Sequence, residues 1–369
     1  MIVKLIVIIL ITAVIFEIIF RVRRYVTHTP RDARALLSLY NEERDKAIQY
    51  FKDEYKLQFD IDPYLFIKLK PNQKYKTIRI NSLGFRDDEI SEKKSLNEYR
   101  VLFLGGSSAW GVGSIDNKIT LPKILENKLN STYADKKHTV INAACPGYVS
   151  DQELILLLRM LDRYKIDLVI DFNGFNDFYT LYKNPPGYPC HYSRMYAIYK
   201  LLAPIKRIIG SSELLYYLNE NIIKPFITVD IASITITKIE DAAVHYVNNC
   251  LTMSLLAKSR GIDVVIVLQP IVGSKKVKTE EEKNNMTSNE IELANKIYAR
   301  YREYFNKLSL NDNLSFLDLS NVFDNETRTI FIDRAHFTGK DTETLADNIL
   351  KTIKDKKLTV KSNYRIPIT

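Results

Sequence analysis

Several features that would place this 369-residue chain in a specialised class are missing from its sequence. It has only three cysteines, Cys145, Cys190 and Cys250. An odd number without metal-ligand spacing argues against a disulfide framework and a cysteine-ligated metal. There is no internal repeat and no low-complexity segment. Because 46% of the residues are hydrophobic, the chain can bury one large core or two modest ones, and we expect a folded protein.

A concentrated patch of basic charge is also missing. The formal net charge is +9, but the lysines are scattered along the chain and are not gathered in one stripe. Nucleic-acid binding normally requires such a stripe. No nucleic-acid partner is therefore predicted.

Only one long hydrophobic run is present, and it occupies the amino terminus from Met1 to Phe20. As a helix it would be roughly 30 Å long, about one hydrocarbon thickness of a bilayer. No small-x-small cleavage site follows it, which favours an uncleaved, single-pass membrane anchor over residues 1–24 rather than a signal peptide. A buried amphipathic helix is the alternative, but apolar residues lie on all sides of the run.

The charges that flank this run predict its orientation. Lys4 and the amino terminus precede it, whereas five arginines follow it: Arg21, Arg23, Arg24, Arg31 and Arg34. By the positive-inside rule, the rest of the chain is expected on the cytoplasmic face.

Residues 25–98 form a polar lead-in segment with no apolar run long enough for a core of its own. Helical spacing from Arg31 to Phe51 predicts a helix, and the alternation from Pro63 to Arg86 predicts one or two hairpins. Asn81-Ser-Leu-Gly-Phe-Arg86 has the composition of a turn. We interpret that turn as packing the lead-in onto the main domain.

Strands and helices alternate through the main domain, residues 99–358, and residues 359–369 form a tail. This pattern predicts a three-layer α/β/α fold with a mostly parallel central sheet. The predicted strands are Val101–Leu104, Thr139–Asn142, Ile166–Phe172, Val264–Leu268 and Phe316–Leu319. The predicted helices are Leu121–Leu129, Ser150–Leu161 with a Ser150/Glu153 capping box, Ile239–Arg260, Ser288–Leu308 and Asp341–Ile353.

An insertion rich in tyrosine and proline, residues 179–233, interrupts this alternation. It leaves the sheet directly after a polar turn, so we interpret it as a cap over a site at that edge. A second membrane-associated patch is the competing interpretation, although neither apolar stretch reaches the ~18 residues of a spanning helix.

Four short turns follow the predicted strands in order: Gly105-Gly106-Ser107, Pro146-Gly147, Gly174-Phe175-Asn176-Asp177, and Asp333-Arg334-Ala335-His336. A serine at neutral pH needs a base before it can attack a carbonyl, and His336 is the candidate base for Ser107. Asp333 is close enough in sequence to orient that imidazole through a helical turn or a tight loop. Each turn alone is equally compatible with a structural role, and the first also with phosphate binding.

Taken together, the four turns resemble the SGNH or GDSL hydrolase family over roughly residues 99–353. The resemblance implies that Ser107 is the nucleophile and that His336 and Asp333 complete a triad. It also implies that an oxyanion hole is formed by the backbone N–H groups of Ser107 and Gly147 and the side-chain amide of Asn176. No metal or organic cofactor is implied. Gly106 departs from the family pattern, which has Asp there, and altered turn packing is the expected consequence.

The resemblance implies a serine esterase that hydrolyses O-acetyl esters on a small molecule or glycan, with a cell-surface polysaccharide as the first candidate. An O-acetyltransferase with the same triad and a catalytically silent binding module are the alternatives. A surface polysaccharide would favour an extracytoplasmic domain, against the charge bias. Five aromatic residues flank the turns and could stack on sugars or lie in the core: Trp110, Tyr148, Phe175, Phe178 and Tyr179. Oligomeric state is left open.

Overall fold

The computed structural model describes residues 2–27, 37–180, 212–218, 236–311 and 314–358. The α-helices described are α1 (Ile2–Thr27), α2 (Arg44–Tyr55), α3 (Ser107–Trp110), α4 (Leu121–Thr132), α5 (Ser150–Met160), α6 (Phe175–Thr180), α7 (Glu213–Leu218), α8 (Ile236–Lys258), α9 (Glu280–Lys283), α10 (Ser288–Asn311) and α11 (Thr342–Asp355). Short 3₁₀ helices cover Leu37–Glu43, Asn117–Ile119 and Val272–Ser274. The strands are β1 (Phe59–Asp62), β2 (Phe66–Leu69), β3 (Gln73–Lys74), β4 (Arg79–Ile80), β5 (Glu98–Gly105), β6 (Lys137–Asn142), β7 (Leu168–Asn173), β8 (Asp263–Leu268) and β9 (Ser315–Asp318).

Strands β5 to β9 form a five-stranded, wholly parallel sheet in the order β6-β5-β7-β8-β9. Residues 101–104 in β5 are fully buried, as expected for a strand covered on both faces. Helices α4 and α11 pack together beside the sheet, and α8 packs with α5 and α10. The predicted α/β fold with a parallel central sheet flanked by helices is confirmed.

The chain changes direction across the sheet at β5. From β5 it goes first to β6 on one side and then to β7 on the other, so β5 and β7 border a topological switch point. Ligands bind at such points, beyond the carboxyl ends of the strands. Ser107 opens the short helix after β5, and Asn176 lies in the first turn of the helix after β7.

The lead-in segment packs into the core of the main domain. Its helix α2 is followed by two antiparallel hairpins, β1–β2 and β3–β4. Tyr50 of α2 and Phe85 of the turn after β4 belong to the same buried hydrophobic cluster as Trp110. Arg86, which ends that turn, is buried with its guanidinium 4.5 Å from the Trp110 ring centroid.

Helix α1 contains a 19-residue stretch, Lys4–Val22, that is long and apolar enough to cross a membrane and has no fully buried residue. By length and composition a signal sequence would look the same. The predicted positions Arg31 and Arg34 and the tail 359–369 lie outside the described residues. Most of the predicted cap also lies outside them, with Cys190, and only its segment 212–218 is described beyond α6.

The start of α5 differs from the predicted Ser150/Glu153 capping box. The helix begins at Ser150, but Val149 precedes it as the N-cap, and its backbone N–H donates to Gln152 Oε1 at 3.0 Å. Glu153 is instead buried, where its Oε2 accepts from Asn173 Nδ2 at 2.7 Å. Only the Gln152 half of a capping box is present, because Val149 has no side-chain acceptor, and the predicted Ser150/Glu153 box is wrong.

Candidate active site

The first predicted turn places Ser107 at the carboxyl edge of the sheet. Strand β5 ends at Gly105, Gly106 is extended, and Ser107 opens the short helix α3. Helix α3 ends at Trp110 and is capped by Gly111, whose positive φ of 102° terminates the helix. A hydroxyl at this junction projects from the switch point between β5 and β7.

Asp333 and His336 occupy a tight loop rather than a helical turn. Phe331 and Phe337 form an isolated antiparallel bridge that closes the loop, and Ile332 N–H donates to His336 O at 2.8 Å. Within the loop, Asp333 Oδ1 accepts from the backbone N–H groups of Ala335 at 3.0 Å and His336 at 2.9 Å. These bonds leave the second carboxylate oxygen facing the imidazole.

Ser107, His336 and Asp333 are connected by two short hydrogen bonds. His336 Nδ1 lies 2.6 Å from Asp333 Oδ2, and His336 Nε2 lies 2.6 Å from Ser107 Oγ. A carboxylate accepts only, so Nδ1 carries the proton and Nε2 is left as an acceptor for the serine hydroxyl. In this tautomer His336 can take the Ser107 proton.

The charges around the imidazole favour its protonated form. Burial alone would lower the pKa of His336, but the Asp333 carboxylate, its hydrogen bond and the charge of Glu54 raise that pKa above the ordinary value. Burial likewise opposes ionisation of Asp333, but His336 and the backbone N–H donors hold the pKa of that carboxyl below its usual value. An ionised Asp333 stabilises the imidazolium that forms when Ser107 loses its proton.

The structure brings Asn176 against the turn that carries Ser107. A Cβ atom added at Gly106 would lie 2.4 Å from Asn176 Nδ2, so any side chain there would displace the amide. Asn176 Nδ2 also donates to Tyr148 O at 2.7 Å, which ties it to the loop after β6. Gly147 of that loop has a positive φ of 86°. The three predicted oxyanion-hole residues thus come from adjoining turns.

Other predicted residues prove to be buried. Asp177 accepts hydrogen bonds from Ser150 N at 3.2 Å and Ser150 Oγ at 2.6 Å, so it supports the start of α5. Tyr179 is the one flanking aromatic residue that is partly exposed. The other four are buried: Trp110, Tyr148, Phe175 and Phe178. The core interpretation holds for those four.

Two contacts that the sequence did not indicate join the turns. Ser108 Oγ donates to Ala335 O at 3.0 Å, which connects α3 to the loop that carries His336. Gln269, which follows β8, donates from Nε2 to Ser108 Oγ at 3.3 Å. The adjacent serines therefore divide their roles: Ser107 faces the imidazole, and Ser108 braces its loop.

The lead-in segment also reaches the site, which sequence reasoning missed. Tyr50 of α2 donates to Glu54 Oε1 at 3.1 Å and accepts from Gly113 N–H at 3.2 Å. Gly113 in turn packs closely on Phe337, because a Cβ atom added at Gly113 would lie 2.4 Å from Phe337 O. Phe337 directly follows His336, so these contacts connect α2 to the loop that carries His336. A second His–Asp pair was missed too, because its members are distant in sequence: His245 Nε2 lies 2.9 Å from Asp151 Oδ2.

Within the described residues, no group of three or more His, Cys, Asp or Glu side chains could hold a metal ion.

No known protein-family model matches the sequence, and no curated protein matches it.

Solved structures that match the chain include esterases and a putative acylhydrolase. They include a carbohydrate acetylesterase family member from Sinorhizobium meliloti, which is 14% identical with a TM-score of 0.40, covering 70% of this chain and 98% of that one. An acetyl xylan esterase variant from Geobacillus stearothermophilus is 13% identical with a TM-score of 0.40, covering 69% and 94%. A putative lipolytic protein of the G-D-S-L family from Desulfitobacterium hafniense is 10% identical with a TM-score of 0.41, covering 69% and 98%.

Proposed function

We propose that this chain is a serine esterase that hydrolyses acyl esters, with O-acetyl groups on a glycan as the first candidate substrate. The observation that carries the proposal is the pair of 2.6 Å contacts from His336, one to Ser107 Oγ and one to Asp333 Oδ2. Such an arrangement serves nucleophilic acyl transfer at neutral pH.

The reaction has two halves. His336 Nε2 takes the Ser107 proton while Oγ bonds to the ester carbonyl carbon, and the carbonyl oxygen becomes an oxyanion. The intermediate collapses, the alcohol leaves with the proton from His336, and an acyl-serine remains. Water then gives its proton to His336, adds to the acyl carbon and releases the carboxylic acid, with Ser107 recovering its proton.

We assign the oxyanion to the backbone N–H groups of Ser107 and Gly147 and one side-chain N–H of Asn176. An amide carries two N–H donors, and one of them bonds Tyr148 O, so the second is the donor assigned to substrate. Donors held in place before the reaction stabilise developing charge without having to reorganise.

The test is hydrolysis of chromogenic acyl esters by the purified full-length chain. We expect turnover of the acetyl ester to exceed that of longer acyl esters and to be abolished in Ser107→Ala. Ser108→Ala should retain most activity per folded molecule. If Ser108→Ala lost activity and Ser107→Ala kept it, the nucleophile would be Ser108 and the proposed role of Ser107 would be wrong. Accumulation of acyl-enzyme that only a glycan discharges would indicate an O-acetyltransferase.

We further propose that α1 is an uncleaved, single-pass anchor with the catalytic domain on the cytoplasmic face, as the arginines after Lys4–Val22 favour. Protease added to intact cells should leave the domain undigested. Digestion without lysis would place it outside and favour a cell-surface polysaccharide as substrate.

A further inference from the structure

Helix α1 carries one carboxylate within its apolar stretch. Glu17 lies in Lys4–Val22, where the surrounding apolar side chains are exposed. An ionised side chain at membrane depth is costly unless it is paired, and such residues usually mark a specific contact.

Glu17 is paired on both of its oxygens. Its Oε1 accepts from Arg21 Nε at 2.7 Å, one helical turn away on α1. Its Oε2 accepts from Ser212 Oγ at 2.8 Å and from Leu214 N–H at 2.9 Å, both in the insertion. Ser212 Oγ accepts in turn from Leu215 N–H at 3.2 Å. Two N–H groups in the first turn of α7 therefore have acceptors: that of Leu214 donates to Glu17 of α1, and that of Leu215 donates to Ser212, which precedes α7.

The apolar sides of the two helices also meet. The rings of Phe20 and Tyr217 are stacked with centroids 4.7 Å apart and planes inclined by 21°. Leu215 and Tyr217 each remain 37% exposed, so they extend the apolar surface of α1. That surface is continuous with a stretch long enough to cross a bilayer.

We propose that α7 docks on α1 within the membrane, so that lipid acyl chains cover Leu215 and Tyr217 and Glu17 is the polar centre of the contact. Backbone N–H groups at membrane depth must be satisfied inside the protein, and Glu17 accepts from that of Leu214 in the first turn of α7, a helix too short to be stable alone. The contact goes beyond the esterase activity. It makes α1 a permanent part of the fold and ties the insertion to the bilayer.

Disulfide crosslinking in native membranes tests the contact. The Phe20→Cys/Tyr217→Cys pair is made in a Cys190→Ser background with a protease site inserted at Leu96, in a fully exposed position. After oxidation and cleavage, the two fragments should stay joined on a non-reducing gel. The Val7→Cys/Tyr217→Cys pair is the control and should separate, because Val7 lies about 20 Å further along α1. Equal yields from both pairs would overturn the proposal.

Two further variants separate polar docking from simple proximity. Glu17→Ala should lose most of the crosslinked product, whereas Thr12→Ala should not, because among the described residues the Thr12 hydroxyl bonds within α1, to Ile8 O at 2.8 Å. In the Cys190→Ser background with Phe20 and Tyr217 unchanged, Leu215→Cys should resist a water-soluble maleimide that readily labels Leu96→Cys. Equal labelling of these positions, or a mature chain that lacks residues 1–27, would contradict the membrane-embedded contact.

Discussion

At the residue scale, the proposed role of Ser107 as nucleophile requires the neutral imidazole of His336 to carry its proton on Nδ1. Asp333 holds that proton on Nδ1, at 2.6 Å from its Oδ2. The same carboxylate raises the pKa of His336, with a contribution from Glu54. Activity should therefore increase with pH as His336 loses its second proton, with a midpoint above the ordinary value of about 6.5.

Glu54→Gln should move this acidic limb of the kcat/KM profile to lower pH. Removing a negative charge near His336 lowers the imidazole pKa, so the neutral base persists to more acidic conditions. The measurement is kcat/KM for an acetyl ester against pH. Asp45→Asn, which removes an exposed carboxylate from the same helix, is the control and should leave the limb in place. A profile that does not move in Glu54→Gln would reduce Glu54 to a structural role.

Asn176→Ala should lower kcat by about 10² to 10³, the usual loss for one oxyanion donor. Because its amide also bonds Tyr148 O, some loss of stability is expected as well. Turnover is therefore to be normalised to folded protein, measured by thermal melting. A lower melting temperature with unchanged turnover per folded molecule would restrict Asn176 to joining the two turns.

At the element scale, the lead-in hairpins hold the turn that follows Ser107. Arg86 donates from Nη1 to Gly111 O and from Nη2 to Ser114 O, both at 2.7 Å. Its Nε donates to Asn117 Oδ1 at 3.1 Å. A buried guanidinium with this many acceptors connects the Asn81–Arg86 turn to the region directly after α3.

Arg86→Met should destabilise the fold by several kcal/mol, because each buried carbonyl left without a donor costs about 1–3 kcal/mol. Chemical denaturation followed by Trp110 fluorescence measures the change. Arg79→Met is the matched control: Arg79 forms an exposed pair with Asp88, and such surface pairs contribute about 0–1 kcal/mol. Similar losses in both variants would mean that Arg86 does not brace the turn.

At the scale of the whole molecule, a cluster of buried carboxyl groups lies beneath the sheet edge. Asn173 Nδ2 donates to Asp171 Oδ2 at 2.6 Å and to Glu153 Oε2 at 2.7 Å. Burial, reinforced by nearby Asp177, raises the pKa of Asp171 to about 7 and that of Glu153 well above its usual value. The folded state thus keeps protons there that the unfolded chain releases at lower pH.

This difference predicts that the cluster destabilises the protein as pH rises. With an unfolded pKa near 3.9 and a folded pKa of about 7, the contribution of Asp171 to stability is full below about pH 4 and is lost as pH rises through 7. Asp171→Asn should therefore raise the melting temperature progressively, relative to the native chain, between those limits. The exposed Asp135→Asn is the control. A difference that shrinks with increasing pH would contradict the assignment.

The sequence by itself determined the parallel sheet and the place of the four turns after its strands. Continuous apolar strands and glycine-rich turns are local signals, and every predicted strand has its counterpart in β5 to β9. The pairing of Ser107 with His336 could be anticipated because parallel strands bring their carboxyl ends to one edge.

Tertiary structure alone decided which further groups reach that edge. Glu54 and Tyr50 lie over fifty residues before Ser107, and no local pattern marks a glutamate that will face His336. Ser108 and Ala335 meet only because α3 and the Asp333–His336 loop pack together. Likewise, the i,i+4 spacing already offered Arg21 to Glu17 as a partner, but the contacts of Glu17 with Ser212 and Leu214 depend on packing against the insertion. Hydrophobic periodicity in the sequence indicates which face of a helix or strand a residue occupies. Contacts between residues that are distant in sequence depend on how the helices and strands pack together.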